Sequence, residues 1–194
     1  MNKPAGWETA QAYDGSYRTL PPGGYVCAIK DARVEDNGYG EKIMVALDVC
    51  EGEYAGIFGD IFKSRQRSGG AKWPCVYDQF THTRDGDTNG WFKGFITAVE
   101  RSNPGFVWAW DERTLKGKAV GFVFGVEEWI GNDGTLRAST KPRIARDIKS
   151  IRDGDFTVPP KKEAAQGATL SQATPSAPQI DVNGFERVEE DLPF

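Results

Sequence analysis

The chain has 194 residues, of which 39% are apolar and 27% charged, and its formal net charge is −4; this suits one ordinary domain with extensions. Twenty-three Gly, six Trp and eleven Phe against two Met argue against a helical bundle and for a turn-rich, mostly β protein. No apolar run reaches the ~18 residues of a membrane span, and Met1-Asn2-Lys3-Pro4 does not lead into a signal-peptide core, so a cytoplasmic protein with no membrane partner is expected.

Residues 1–23 read as an N-terminal arm. Trp7, Tyr13 and Tyr17 lie among small polar residues without periodicity, and Pro21-Pro22-Gly23-Gly24 ends the stretch. The arm aromatics are expected to cover an open end of the body, the alternative being that they take part in a binding surface. Tyr25–Val34 predicts a first strand, and Asp36-Asn37-Gly38 supplies a hairpin turn. Lys42–Val49 predicts a second, with Ile43, Val45, Leu47 and Val49 on one face and Lys42, Met44, Ala46 and Asp48 on the other. Ile57–Lys63 alternates as well and is read as a third strand, which turns Phe58 and Phe62 either outward beside Lys63 or into the core.

Lys63, Arg65, Arg67 and Lys72 follow with no acid between them, then Trp73, Tyr77, Phe80 and His82. Cations that follow phosphates and rings that stack on unpaired bases are what a single strand asks of a protein. The competing reading is a solvated loop with Trp73 plugging a core edge. Residues 91, 92, 95, 96 and 99 predict a helix that Asn103-Pro104-Gly105 stops. Lys118–Glu128 predicts a strand buried on both faces. Gly131-Asn132-Asp133-Gly134 predicts a hairpin turn, and Thr135–Arg146 an amphipathic return strand with Arg137, Lys141 and Arg143 on one side.

The predicted order is three strands, a helix and two strands, the order of a five-stranded OB-fold-like Greek-key barrel with a helix between strands three and four. That architecture assigns residues 24–158 to a DNA-binding domain. Its candidate DNA-contacting residues are Tyr39, Lys42, Phe58, Phe62, Lys63, Arg65, Arg67, Lys72, Trp73, Tyr77, Trp129, Arg137, Lys141 and Arg143. Residues 159–194 are poor in apolar side chains and are expected to be a disordered C-terminal tail with a reach of about 25–30 Å. Net charge does not oppose nucleic acid binding. Residues 1–160 hold 21 of the 24 Lys and Arg and 22 of the 28 Asp and Glu, so most of the negative excess falls on the tail.

The tail ends Glu190-Asp191-Leu192-Pro193-Phe194. This pentapeptide closely resembles the C-terminal tip of bacterial single-stranded DNA-binding proteins, and the resemblance implies recruitment of replication, recombination or repair proteins through those five residues. Gly117–Gly121, Glu127-Glu128-Trp129, Asn132-Asp133-Gly134 and Ile151–Phe156 are similar to the C-terminal half of phage-encoded single-stranded DNA-binding proteins. The N-terminal strand pattern of the ordinary bacterial family is missing, which withholds its tetrameric assembly and its base-stacking residues from this chain. The resemblance implies a non-catalytic protein acting in the cytoplasm of a bacterial host; homo-oligomers are compatible with it. The alternative is an OB-like adaptor that binds proteins and no nucleic acid.

No catalytic constellation, cofactor motif or metal site is expected. His82 is the single histidine, and Cys27, Cys50 and Cys75 contain no C-x-x-C pair and are expected as free thiols.

Overall fold

Alternating apolar residues build five strands in the computed structural model, which describes residues 3–8, 19–36, 38–66 and 72–164. The strands are β1 (Gly23–Asp36), β2 (Glu41–Val49), β3 (Val76–Phe80), β4 (Ala119–Ile130) and β5 (Leu136–Arg146), and the helices are α1 (Ile57–Gln66), α2 (Gly90–Ser102) and α3 (Ile148–Arg152). The protein is mostly β, with one open sheet in the order β3-β2-β1-β4-β5 and every neighbouring pair antiparallel. β3 and β5 form the two edges. No helix among the described residues is long and apolar enough to cross a membrane.

The inner face of β2 is the predicted one: Ile43, Val45, Leu47 and Val49 are all buried. On β1, Cys27 and Ile29 face the same core. A bulge at Lys30 shifts the pairing from Ile29 opposite Leu47 to Asp31 opposite Ala46, so Ala32 faces inward and the charged residues around it stay outside. α2 closes this face with Phe92, Phe95, Ala98 and Val99, its Phe95 ring lying 5.5 Å from Tyr77 and 6.2 Å from Phe122. Asn89 caps the start of α2 by accepting from Trp91 N. At the other end the Asn103 amide donates to Val99 O and Ala119 O and accepts from Ala119 N, which ties the helix to the start of β4. Each buried aliphatic or aromatic side chain contributes roughly 1.5–3 kcal/mol, against ~0–1 for a surface ion pair, so this face dominates the stability.

Two expectations need correction. Ile57–Lys63 is not a strand but most of α1, and the third strand is Val76–Phe80. The apolar positions 57, 58, 61 and 62 fit a helical stripe as well as an alternating one. Two local features select the helix: Gly56 takes φ +78°, and the buried Asp48 carboxylate of β2 accepts from Phe58 N at 3.0 Å, satisfying a donor at the helix start.

The second correction concerns the boundary at 158. Beyond β5 the chain turns back over the outer face of the sheet, and three strand glycines make room for it. A Cβ on Gly24 would stand 2.5 Å from the Phe156 ring, one on Gly121 2.5 Å from Ile151, and one on Gly125 2.8 Å from Pro159. Ile151 packs with Val26 and Val123 in a second small apolar cluster. Lys162 then pairs in parallel with Glu127 of β4, donating its N–H to Val126 O and accepting from Glu128 N, just past the point where β1 begins. Pro159–Lys162, read from the sequence as tether, therefore belongs to the body. Of the arm, Leu20 is buried in the main core, whereas Trp7 is 64% exposed and covers nothing among the described residues. Tyr13 and Tyr17 lie outside the described residues.

Candidate nucleic-acid interface

The two edge strands face one another across a cleft of about 620 Å³. Val76–Gln79 of β3 form one wall, and Lys141, Pro142, Arg143 and Ile144 of β5 the other, with Trp91, Glu127, Pro159 and Lys162 completing the lining. A second cleft of about 570 Å³ lies between α1 and the β4–β5 hairpin and contains Arg65, Ile61, Pro74, Val126, Trp129 and Lys141. Lys141 lines both clefts, so they adjoin at this residue and form a track along β5.

Local structure aims the cations into this track. Pro142 lacks a backbone donor, which an edge strand tolerates, and a bulge beside it leaves Arg143 without a partner on β4. Arg143 then lies over Gly125, its Cγ 3.3 Å from where a Cβ would stand. Neither Lys141 nor Arg143 is in an ion pair with a described residue, whereas Lys161 and Lys162 are held by Glu128 and Glu127. The positive field acts on the cleft's own acid: the Glu127 carboxyl is held below the usual carboxylate range, first by its hydrogen bond to Lys162 and further by the charges of Arg143 and Lys141. Trp129 and Trp91 are 40% and 58% exposed and offer ring surface along the same track.

No protein-family model matches the chain, and no curated protein matches it.

Of the residues singled out in the sequence, Arg65, Trp129, Lys141 and Arg143 come together here. Lys63 and Lys72 are exposed, and Lys63 stands 3.8 Å from Asp60. Arg137 is exposed at the hairpin and tied to Asp133 at 2.7 Å. Tyr39 is 91% exposed in the β1–β2 connection.

Lys42 does not join them. It lies on the outer β2–β3 surface, paired with Asp78 and 5.7 Å from the Phe80 ring centroid. Arg33 on the same surface pairs with Glu35, so the cations there are already met by acids. Three aromatics are core pieces and not open platforms. Phe58 is buried and stacks on Phe124 with centroids 6.2 Å apart. Tyr77 is buried between Phe95 and Phe122 and reaches the cleft only as part of its floor, and burial pushes its phenol up to about 12. Trp73 is half-buried, donates its indole N–H to Leu47 O at 2.8 Å and packs on Phe62, which its ring covers at 5.2 Å. Arg67 and Glu190–Phe194 lie outside the described residues.

Sequence reasoning missed Trp91, Pro159 and Lys162. Trp91 falls on the apolar stripe of α2 and looks like core. Pro159 and Lys162 sit in a Pro- and Lys-rich stretch, and the signal that could have found them is the row of glycines inside strands, which marks close approach of another segment.

Proposed function

We propose that the chain binds single-stranded DNA without strong sequence preference and without catalysis, in the track between β5, β3 and α1. The observation that carries this reading is the placement of two cations outside any ion pair, Lys141 and Arg143, in two clefts that share Lys141, with the exposed ring of Trp91 in one and that of Trp129 in the other. Cations contact phosphates, and indoles stack on bases irrespective of their identity.

The strand order supports the same reading. A sheet ordered β3-β2-β1-β4-β5, with a helix between β3 and β4, is the order of a five-stranded OB barrel opened between its third and fifth strands. The track differs from the β2–β3 surface such barrels use, because here that surface carries cations already paired with acids. The ending Glu190–Phe194 supports a second role, recruitment of replication, recombination or repair proteins through a terminal carboxylate, acids and an aromatic ring.

The test is a titration of fluorescent oligo-dT with the full chain across a salt series, with duplex DNA of equal length beside it. Steep weakening with salt and weaker duplex binding are expected. Affinity independent of salt, or equal for the duplex, rejects the reading.

A further inference from the structure

On the side of α2 away from Trp91, a third cleft, of about 430 Å³, opens between Phe92 and the β2–β3 sheet corner, lined by Trp108, Trp110, Glu41, Glu112 and His82 among others. Trp110 is 79% exposed, and it is the one described residue other than glycine at positive φ, +63°. That conformation is costly for an L-residue, and a tryptophan left 79% exposed recovers little of the cost from its one ring contact, with Trp108. The loop that holds it there is closely fixed. Glu100 accepts from Trp108 N at 3.0 Å, Trp108 donates its indole N–H to Asp111 O, and the Trp108 and Trp110 rings lie 4.8 Å apart at 42°.

The charge lining this cleft has one sign. Glu41 and Glu112 are its ionised side chains, and no described Lys or Arg lines it; Lys93 and Glu100 belong to the adjoining hollow of about 370 Å³ on the far side of the two tryptophans. Glu41 is held in place, since Thr81 Oγ1 stands 3.0 Å from its carboxylate and 2.8 Å from His82 Nδ1. Indole faces beside carboxylates attract a cation twice, through the ring quadrupole and through the charge. A planar guanidinium uses both best, because it stacks on an indole and meets a carboxylate with two parallel N–H donors.

We propose that this cleft is a docking site for an arginine-bearing segment of a protein partner, the guanidinium lying on Trp110 and pairing with Glu112, while Glu41, already accepting from Thr81, adds its charge. Nucleic acid is disfavoured by the same carboxylates, so the surface is separate in location and in sign from the track at β5.

The probe is a blocked tri-arginine peptide titrated into the full chain at low salt, read by tryptophan fluorescence and by the indole N–H signals of an NMR spectrum, with blocked tri-lysine beside it. The acidic C-terminal residues are present in every variant, so their background attraction cancels between variants. Saturable binding of tri-arginine is expected, at least threefold tighter than tri-lysine and weakened at least fivefold by Trp110→Gly and by Glu112→Gln, with oligo-dT affinity unchanged. Gly suits the positive φ, so Trp110→Gly should melt no lower than the parent; if it does melt lower, Glu112→Gln, which keeps the side-chain shape, decides. Unweakened binding in Glu112→Gln, or equal affinity for the two peptides, overturns the proposal.

Discussion

The Asp48 carboxylate of β2 accepts a hydrogen bond from the backbone N–H of Phe58 in the first turn of α1, 3.0 Å away and largely shielded from water. Burial raises the carboxyl above its ordinary value, while the N–H donors of Phe58, Gly59 and Val49 and the charge of Lys30 pull it back in part. The net shift is upward, so ionisation costs more in the folded chain than in the unfolded one. The stability linked to this group is full below the ordinary Asp range and is lost as pH rises through the raised value. Asp48→Asn keeps an oxygen acceptor for Phe58 and removes the charge. Its stability relative to the parent should therefore increase as pH climbs from acid toward neutral, as measured by urea unfolding at several pH values. A difference that stays flat or shrinks with pH would show that the carboxylate is not strained by burial.

Trp73 and Trp129 make a contrasting pair. Trp73→Ala removes a ring packed on Phe62 and an indole donor to Leu47 O, and it should cost about 3 kcal/mol of stability while leaving oligo-dT affinity within about twofold. Trp129→Ala should do the opposite, losing on the order of 1–3 kcal/mol of binding with little change in melting temperature. Thermal melts and oligo-dT titrations of both variants check it.

Cations of the track and those of the β2–β3 surface should differ as well. Lys141→Ala and Arg143→Ala should each flatten the logarithmic salt dependence of oligo-dT binding by up to ~0.7. Lys42→Ala, which breaks a pair with Asp78, should leave that slope unchanged. Equal slopes for all three variants would place the binding surface elsewhere.

Gly121→Ala drives a Cβ to within 2.5 Å of Ile151 and 2.9 Å of Arg146 O. The backbone oxygen cannot swing aside, so the expected cost is about 1–3 kcal/mol of overpacking strain. Amide exchange should then quicken across residues 148–162 more than across β2. Uniform protection in the variant would mean that the returning segment does not depend on this glycine.

The Tyr77 hydroxyl is buried with no hydrogen-bond partner among the described residues. Tyr77→Phe keeps the ring between Phe95 and Phe122 and removes the stranded polar atom, so stability should hold or rise by up to about 1 kcal/mol. A loss of stability would reveal a partner for the hydroxyl.

Much of the fold was legible because local signals agreed with it. β1, β2, β4 and β5 each combine period-two apolar residues with a Gly- or Asn-bearing turn, and α2 is framed by Asn89 and Asn103. α1 and β3 were exchanged because a four-residue apolar set at 57, 58, 61 and 62 satisfies both periods, and the deciding contact, Asp48 with Phe58, spans separate elements. β3 has only five residues, too few to show a period of its own. At the candidate site, Lys141, Arg143, Arg65 and Trp129 were legible as cations and a ring near a turn. Their meeting across β5 and α1 was not, because it depends on how far the sheet curls. Phe58, Tyr77 and Trp73 look in sequence like the exposed rings a strand of DNA needs, and only packing distinguishes them.

The bulge at Lys30 makes β1 sensitive to length in a way that no substitution reproduces. Ahead of it Cys27 and Ile29 face the core; after it Ala32 does, because one unpaired residue resets the alternation. Deleting a single residue between Ala28 and Asp31 would cancel that reset and carry Asp31 toward the interior while Ala32 turned to water. Deletion scanning across the strand should therefore find soluble protein at its exposed end near Asp36 and none around Lys30, although Lys30 itself is a solvent-exposed side chain that point substitution would alter with little effect.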